Sequence, residues 1–215
     1  MHELARTIRR VRHGVDVRVA FCEQTSPNLR DVLASAGPDA VVVPLLLADA
    51  YHARVDIPEM IRDSAPAARQ ADVLGEDDRL VAVLKQRLAH AGVSRLDPSV
   101  GVLVTAVGSS HAEANARTAT VADHLVQHTS WLATAAFATG PQPTLGEAAE
   151  LLRARGATRM VVAPWFLAHG RITDRVAEFA RARGIVMAEP LGPHRLVAET
   201  VLDRFDEVAA ARTAA

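Results

Sequence analysis

The chain has 215 residues, 49% of them apolar and 23% charged, and a formal net charge of −1. That balance is ordinary for a soluble globular protein and gives no global attraction for nucleic acid or an anionic membrane. A single cysteine, Cys22, excludes an internal disulfide and a multi-cysteine zinc or iron–sulfur centre, and it suits a reducing cytoplasm.

The first predicted element is a helix over 2–13, where Leu4, Ile8 and Val11 recur at helical spacing. Strands follow at 15–21, 39–47 and 71–74, with helices at 27–36, 54–64 and 77–91. Further on the alternation is complete. Strands are expected over 100–108, 131–138, 159–168 and 185–191, each followed by a helix, at 112–128, 144–156, 172–183 and 194–212. Gly156 and Gly184 stand where helix C-caps fall. The strands are continuously apolar, as expected when helices cover both faces of a sheet. The fold class is therefore α/β, with parallel sheets in three-layer αβα, Rossmann-like halves. The tail from Ala209 to Ala215 reads as frayed helix.

No apolar run approaches the roughly 18 residues of a membrane span. The longest, Ala40 to Ala48, is strand-sized and interrupted by Pro44. The N-terminus is charged and lacks an apolar stretch of signal-peptide type, so no membrane is implied and a cytoplasmic location is expected.

Two stretches nearly duplicate each other. Val41-Val42-Val43-Pro44-Leu45-Leu46-Leu47-Ala48 returns as Val161-Val162-Ala163-Pro164-Trp165-Phe166-Leu167-Ala168. Upstream, Ala20-Phe21 with Pro27 and Leu29 returns as Ala136-Phe137 with Pro143 and Leu145. A period this long marks two copies of a small domain rather than a solenoid. The expected halves are 1–95 and 96–215, joined at the Asp97-Pro98 turn. The counterpart of strand 100–108 would lie ahead of Met1, so the first half lacks its first strand and the loop after it. Either the start is displaced into the interior of a longer protein, the favoured reading, or the strand is lost and a neighbouring chain covers the exposed edge as a homodimer.

In an open parallel sheet, ligands bind at the carboxyl ends of the strands. The residues expected there in the first half are Cys22 and Glu23, then Asp49, Tyr51, His52 and Arg54, with Asp56 further on. Glu23 and His52 project a carboxylate and an imidazole from two different strand ends, a donor pair suited to a borderline divalent ion such as Fe, Co or Ni. The alternative for each is an ordinary loop residue. Cys22 reads as a small residue at a strand end rather than a thiolate ligand. In the second half, Gly108-Ser109-Ser110 ahead of a helix could hold an anion on backbone N–H groups, but it lacks a Walker lysine or G-x-G-x-x-G pattern, so no nucleotide site is expected.

The segment 43–58, Val-Pro-Leu-Leu-Leu-Ala-Asp-Ala-Tyr-His-Ala-Arg-Val-Asp-Ile-Pro, resembles a signature of the sirohydrochlorin chelatases of the CbiX/SirB type. Ala20-Phe21-Cys22-Glu23 is similar to that family's Ala-Phe-Leu-Glu, Gly108-Ser109-Ser110 with Ala114-Asn115-Ala116 resembles the opening of its second repeat, and Trp165-Phe166-Leu167-Ala168-His169-Gly170 resembles that repeat's Phe-Leu-Ala-Pro-Gly. The resemblance implies insertion of Co²⁺ or Fe²⁺, or else Ni²⁺, into sirohydrochlorin on the route to cobalamin or sirohaem, without an organic cofactor. It implies Glu23 and His52 as metal ligands and catalytic groups, in two halves facing each other across a tetrapyrrole cleft. The family's first His, in a His-Gly-Ser/Thr-Arg motif, has no counterpart, which predicts an impaired enzyme. Thr139 and Ile172 stand where Glu23 and His52 stand, so the second copy is degenerate. Arg54, Tyr51, Ser109, Ser110 and Arg171 are the expected tetrapyrrole contacts, with Arg30 weaker and His111 and His169 at shifted positions. The rival is a non-catalytic tetrapyrrole- or metal-binding protein.

Overall fold

The computed structural model of the chain describes residues 1–23 and 25–213, leaving aside the side chains of Arg212 and Thr213. Two compact units emerge: residues 1–75 together with 193–215, and residues 76–192. Among the described residues no helix is long and apolar enough to cross a membrane.

The second unit is the complete one. Its sheet is parallel, in the order β4-β3-β5-β6, with β3 Val100–Ala106, β4 Leu132–Phe137, β5 Arg159–Pro164 and β6 Val186–Met187. β3 is hydrogen-bonded on both sides, Val102 opposite Ala133 on β4 and opposite Val161 on β5. Every residue of β3 is buried, which is why its sequence is apolar without alternation. The helices are α4 Asp78–His90, α5 Ala112–Val126, α6 Leu145–Ala154 and α7 Arg171–Ala182. Leu103, Val162 and Phe166 of the sheet and its extension pack with Ala148, Leu152, Val176 and Ala180 of α6 and α7. α4 and α5 pack on one another and on β5 and β4 respectively. Thr144 caps α6 in a capping box with Glu147, the two side chains answering each other's backbone N–H.

The first unit has fewer strands. α1 (His2–Val11) packs against α8 (Arg195–Thr213), where Arg12 grips Asp206 with both guanidinium limbs. α2 (Leu29–Ala34) packs against α3 (Ile57–Ser64) over Leu33, Ile61 and Ala68. β1 (Val41–Val42) and β2 (Arg69–Gln70) form a two-stranded parallel ladder. Single backbone bonds from Ala71 to Val42 and from Leu74 to Leu46 prolong it. Pro44 supplies no N–H, and regular pairing stops before it.

The repeat is visible in detail. Phe21 bridges Asn28 and Phe137 bridges Thr144; Phe21 N–H donates to Pro27 O and Phe137 N–H to Pro143 O, each over 2.9 Å. Both prolines follow cis peptide bonds.

Several sequence expectations change. The segment 15–21 forms no ladder; only Phe21 makes a bridge, and it is to the nearby Asn28. Its counterpart β4 pairs with β3, and among the described residues of the first unit no strand corresponds to β3. The strands expected at 39–47 and 71–74 contract to Val41–Val42 and shift to Arg69–Gln70, and those expected at 159–168 and 185–191 contract to Arg159–Pro164 and Val186–Met187. The compact units also differ from halves cut at 95 and 96, because each takes the other's final helix. α4 buries Leu80, Val83, Leu84 and Leu88 in the second unit, where Lys85 donates to Gln127 O and Arg87 to Leu191 O. α8 belongs to the first unit through Arg69, which donates to Val208 O, and Arg204, which donates to Val73 O. α8 runs helical to Thr213, against the fraying expected from Ala209; Ala214 and Ala215 lie outside the described residues.

Candidate metal centre

Glu23 lies two residues after Phe21, where the chain turns into the loop leading to α2. His52 opens a single π-helical turn, His52–Asp56, that runs directly into α3. In this turn Ile57 N–H donates to His52 O, five residues back rather than four. The cause lies in the sequence. Pro58 has no N–H to give, and in a continuing α-helix its ring would meet the carbonyl of Arg54.

The turn and the loop bring the predicted pair together. His52 Nε2 lies 4.0 Å from Glu23 Oε1, and the other ring nitrogen, Nδ1, lies 2.5 Å from Asp56 Oδ2. The first spacing is beyond hydrogen-bond reach. It is nevertheless short enough for one ion about 2.1 Å from each atom, the usual length of metal–nitrogen and metal–carboxylate bonds. Glu23 and His52 are well exposed, at 77% and 52% of the side chain, while Asp56 is the most sheltered of the three at 27%. Among the described residues no group of three or more His, Cys, Asp or Glu side chains is arranged to hold a metal ion. The pair thus offers two ligands and leaves the other positions of an ion to water or to an incoming molecule.

Cys22 sits in the same neighbourhood. Its half-burial, and then the charges of Asp56 and Glu23, push its thiol up from the ordinary cysteine value. A thiol held protonated between two carboxylates is a poor metal ligand at neutral pH, which agrees with a packing role.

Of the expected tetrapyrrole contacts, Tyr51 is exposed, its ring edge-on to that of His52 with centroids 6.5 Å apart. Arg54 leaves the same turn and pairs with Asp49 through Nη2 at 2.8 Å and Nε at 3.1 Å. Its guanidinium is oriented by a carboxylate of its own loop and remains 46% exposed. Arg30 is drawn away to Asp63 on α3.

The remaining candidates belong to the second unit. Gly108 has φ +93°, and a Cβ there would stand 2.2 Å from Thr139 O, so only glycine lets the loop after β3 turn this closely. Ser109 and Asn115 then bond reciprocally, Ser109 N–H to Asn115 Oδ1 and Asn115 Nδ2 to Ser109 O. Ser110 is exposed beside them, and Arg171 is the exposed first residue of α7. His111 precedes α5 with its N–H on Ser109 Oγ. His169 Nε2 is closed against Glu189 at 2.8 Å, with no gap between them. Thr139 turns its hydroxyl back to Val107 O, and Ile172 packs against the core. The second copy therefore holds a hydroxyl and an aliphatic group where the first holds a carboxylate and an imidazole.

Asp56 is the neighbour that strand-end reasoning left without a role. Its signal was a carboxylate four residues after a histidine and two before a proline.

The CbiX family model matches residues 1–91 and 101–208. A sirohydrochlorin cobaltochelatase of Priestia megaterium is 25% identical over 177 residues, 77% of this chain. The chain spans 58% of that protein's length. A sirohydrochlorin ferrochelatase of the same organism is 28% identical over 218 residues, covering 86% of this chain and 81% of the relative. The solved structure of SirB from Bacillus subtilis with Fe³⁺ superposes with a TM-score of 0.77 at 23% identity, over 99% of this chain and 91% of that one, a likeness of fold. With both repeats matched by one family model, the chain belongs to the CbiX family.

Proposed function

We propose that this chain inserts a divalent ion, Co²⁺ or Fe²⁺, into sirohydrochlorin, with Ni²⁺ accessible to the same donors, in the cytoplasm. The observation that carries the reading is the 4.0 Å gap between Glu23 Oε1 and His52 Nε2 at the strand-end side of the first unit. Sirohydrochlorin is the substrate named for both Priestia megaterium relatives.

The reaction exchanges two pyrrole N–H protons for one ion, releasing two protons. An ion held by one imidazole and one carboxylate keeps only part of its coordination sphere in protein hands. Its waters can therefore leave as pyrrole nitrogens replace them. The neutral imidazole binds through a lone pair, and the exposed carboxylate offsets charge and can take up a released proton. Binding energy from the macrocycle's peripheral carboxylates, met by cations such as Arg54, would be spent on bending the ring so that its nitrogens turn toward the ion. Because the protein supplies two ligands, the ion is held weakly and turnover is expected to be slow.

The test is Co²⁺ insertion followed by the change in the tetrapyrrole spectrum, in the 215-residue chain and in His52→Ala. Loss of about 10²–10⁴-fold in turnover is expected, the usual worth of a positioned acid–base group, with sirohydrochlorin affinity kept within a few-fold. Binding without turnover in the unmodified chain would instead support a non-catalytic tetrapyrrole carrier.

A further inference from the structure

We propose that Asp56 is a positioning residue for His52. It fixes the imidazole in the Nδ1–H tautomer and so presents the Nε2 lone pair toward Glu23. The inference rests on the reading of Glu23 and His52 as the metal-holding pair. An ionised carboxylate can only accept, so at the 2.5 Å separation the proton of the contact lies on Nδ1. In the neutral imidazole, the form that can bind a metal, Nε2 is then the nitrogen without a proton, and it is the one that faces Glu23. Carboxylate–histidine pairs of this kind set the tautomer and raise the basicity of the ligating nitrogen.

The backbone around the contact is built to hold it. Ala53 O loses its α-helical donor, because Ile57 N–H goes to His52 O. The donor a π turn would otherwise offer it is the nitrogen of Pro58, which carries no hydrogen. Gln70 on β2 fills the vacancy, its Nε2 donating to Ala53 O at 2.8 Å. The turn that carries both His52 and Asp56 is thereby fastened to the sheet through a buried residue. Arg54, the cation on the same turn, is engaged by Asp49. Asp56 is the carboxylate at His52 Nδ1.

The experiment uses the full chain as Asp56→Ala, Asp56→Glu and His52→Ala, with Co²⁺ alone as the probe. ¹⁵N spectra of the His52 ring report its tautomer. Asp56→Ala should move the ring from the Nδ1–H form toward the Nε2–H form and weaken Co²⁺ binding about 10–100-fold, while sirohydrochlorin affinity stays within two-fold. Asp56→Glu should restore part of both, which a merely folded scaffold would not explain. An unchanged tautomer and unchanged Co²⁺ affinity in Asp56→Ala, alongside a loss in His52→Ala, would overturn the positioning role and leave the metal pair standing. If His52→Ala itself keeps full Co²⁺ affinity, the metal-pair reading fails and takes this inference with it.

Discussion

The two units carry copies of one repeat and differ in the middle of their sheets. In the second unit β3 lies between β4 and β5; β4 pairs with it alone, and β5 pairs with it on one side and with β6 on the other. Among the described residues of the first unit no strand fills that place. The segment matching β4 then has no ladder, and β1, which matches β5, pairs on one side alone. Burial follows pairing: Val161, Val162 and Ala163 are fully buried, whereas Val41, Val42 and Val43 are half-buried. The same amino acids thus earn different stabilisation according to whether a central strand stands beside them. Polar character runs the opposite way: the thinner unit has Glu23 and His52 where the well-packed one has Thr139 and Ile172.

The largest effect that would sharpen this contrast comes from trimming the same side chain in both copies. Val162→Ala removes two buried carbons and leaves a cavity in the core of the second unit, a loss of about 2 kcal/mol. Val42→Ala should cost about 1 kcal/mol or less, because water already reaches that strand. Urea unfolding of the two variants measures the difference, and equal losses would show that the first unit's strand is as well packed as the second's.

A smaller effect concerns Cys22 and leaves stability aside. Its thiol is raised first by burial and then by Asp56 and Glu23. The thiolate is the reactive form, so alkylation should set in at higher pH than for a free cysteine. In Glu23→Gln the onset should move back toward the ordinary value, because one of the two charges opposing the thiolate is gone. Iodoacetamide rates measured against pH would show both, and a normal onset in the unmodified chain would place the thiol away from the carboxylates.

In the second unit the strand starts were legible, because buried parallel strands are apolar throughout, whereas the ends were not: β5 stops at Pro164 and β6 is only Val186–Met187. β3, β4 and β5 begin within a residue of their expected starts. The first unit was less so. Val15 to Phe21 has the composition of a strand, but a strand exists only where a partner lies, and no local signal reports a partner's absence. The exchange of α4 and α8 between units was hidden for the same reason, since an amphipathic face does not name the sheet it will cover. That Glu23 and His52 come within 4.0 Å of each other was readable from the expected strand ends. Asp56 was not, because its contact depends on the widened turn ahead of Pro58.

The claim on which the rest depends is that Glu23 and His52 share one ion. Crystals of the full chain soaked in Co²⁺ and measured at the cobalt absorption edge would locate it. The expected anomalous peak lies about 2.1 Å from both His52 Nε2 and a Glu23 carboxylate oxygen, with His169 and Glu189 still closed on each other. A peak at His169–Glu189, with none at the first pair, would contradict the claim.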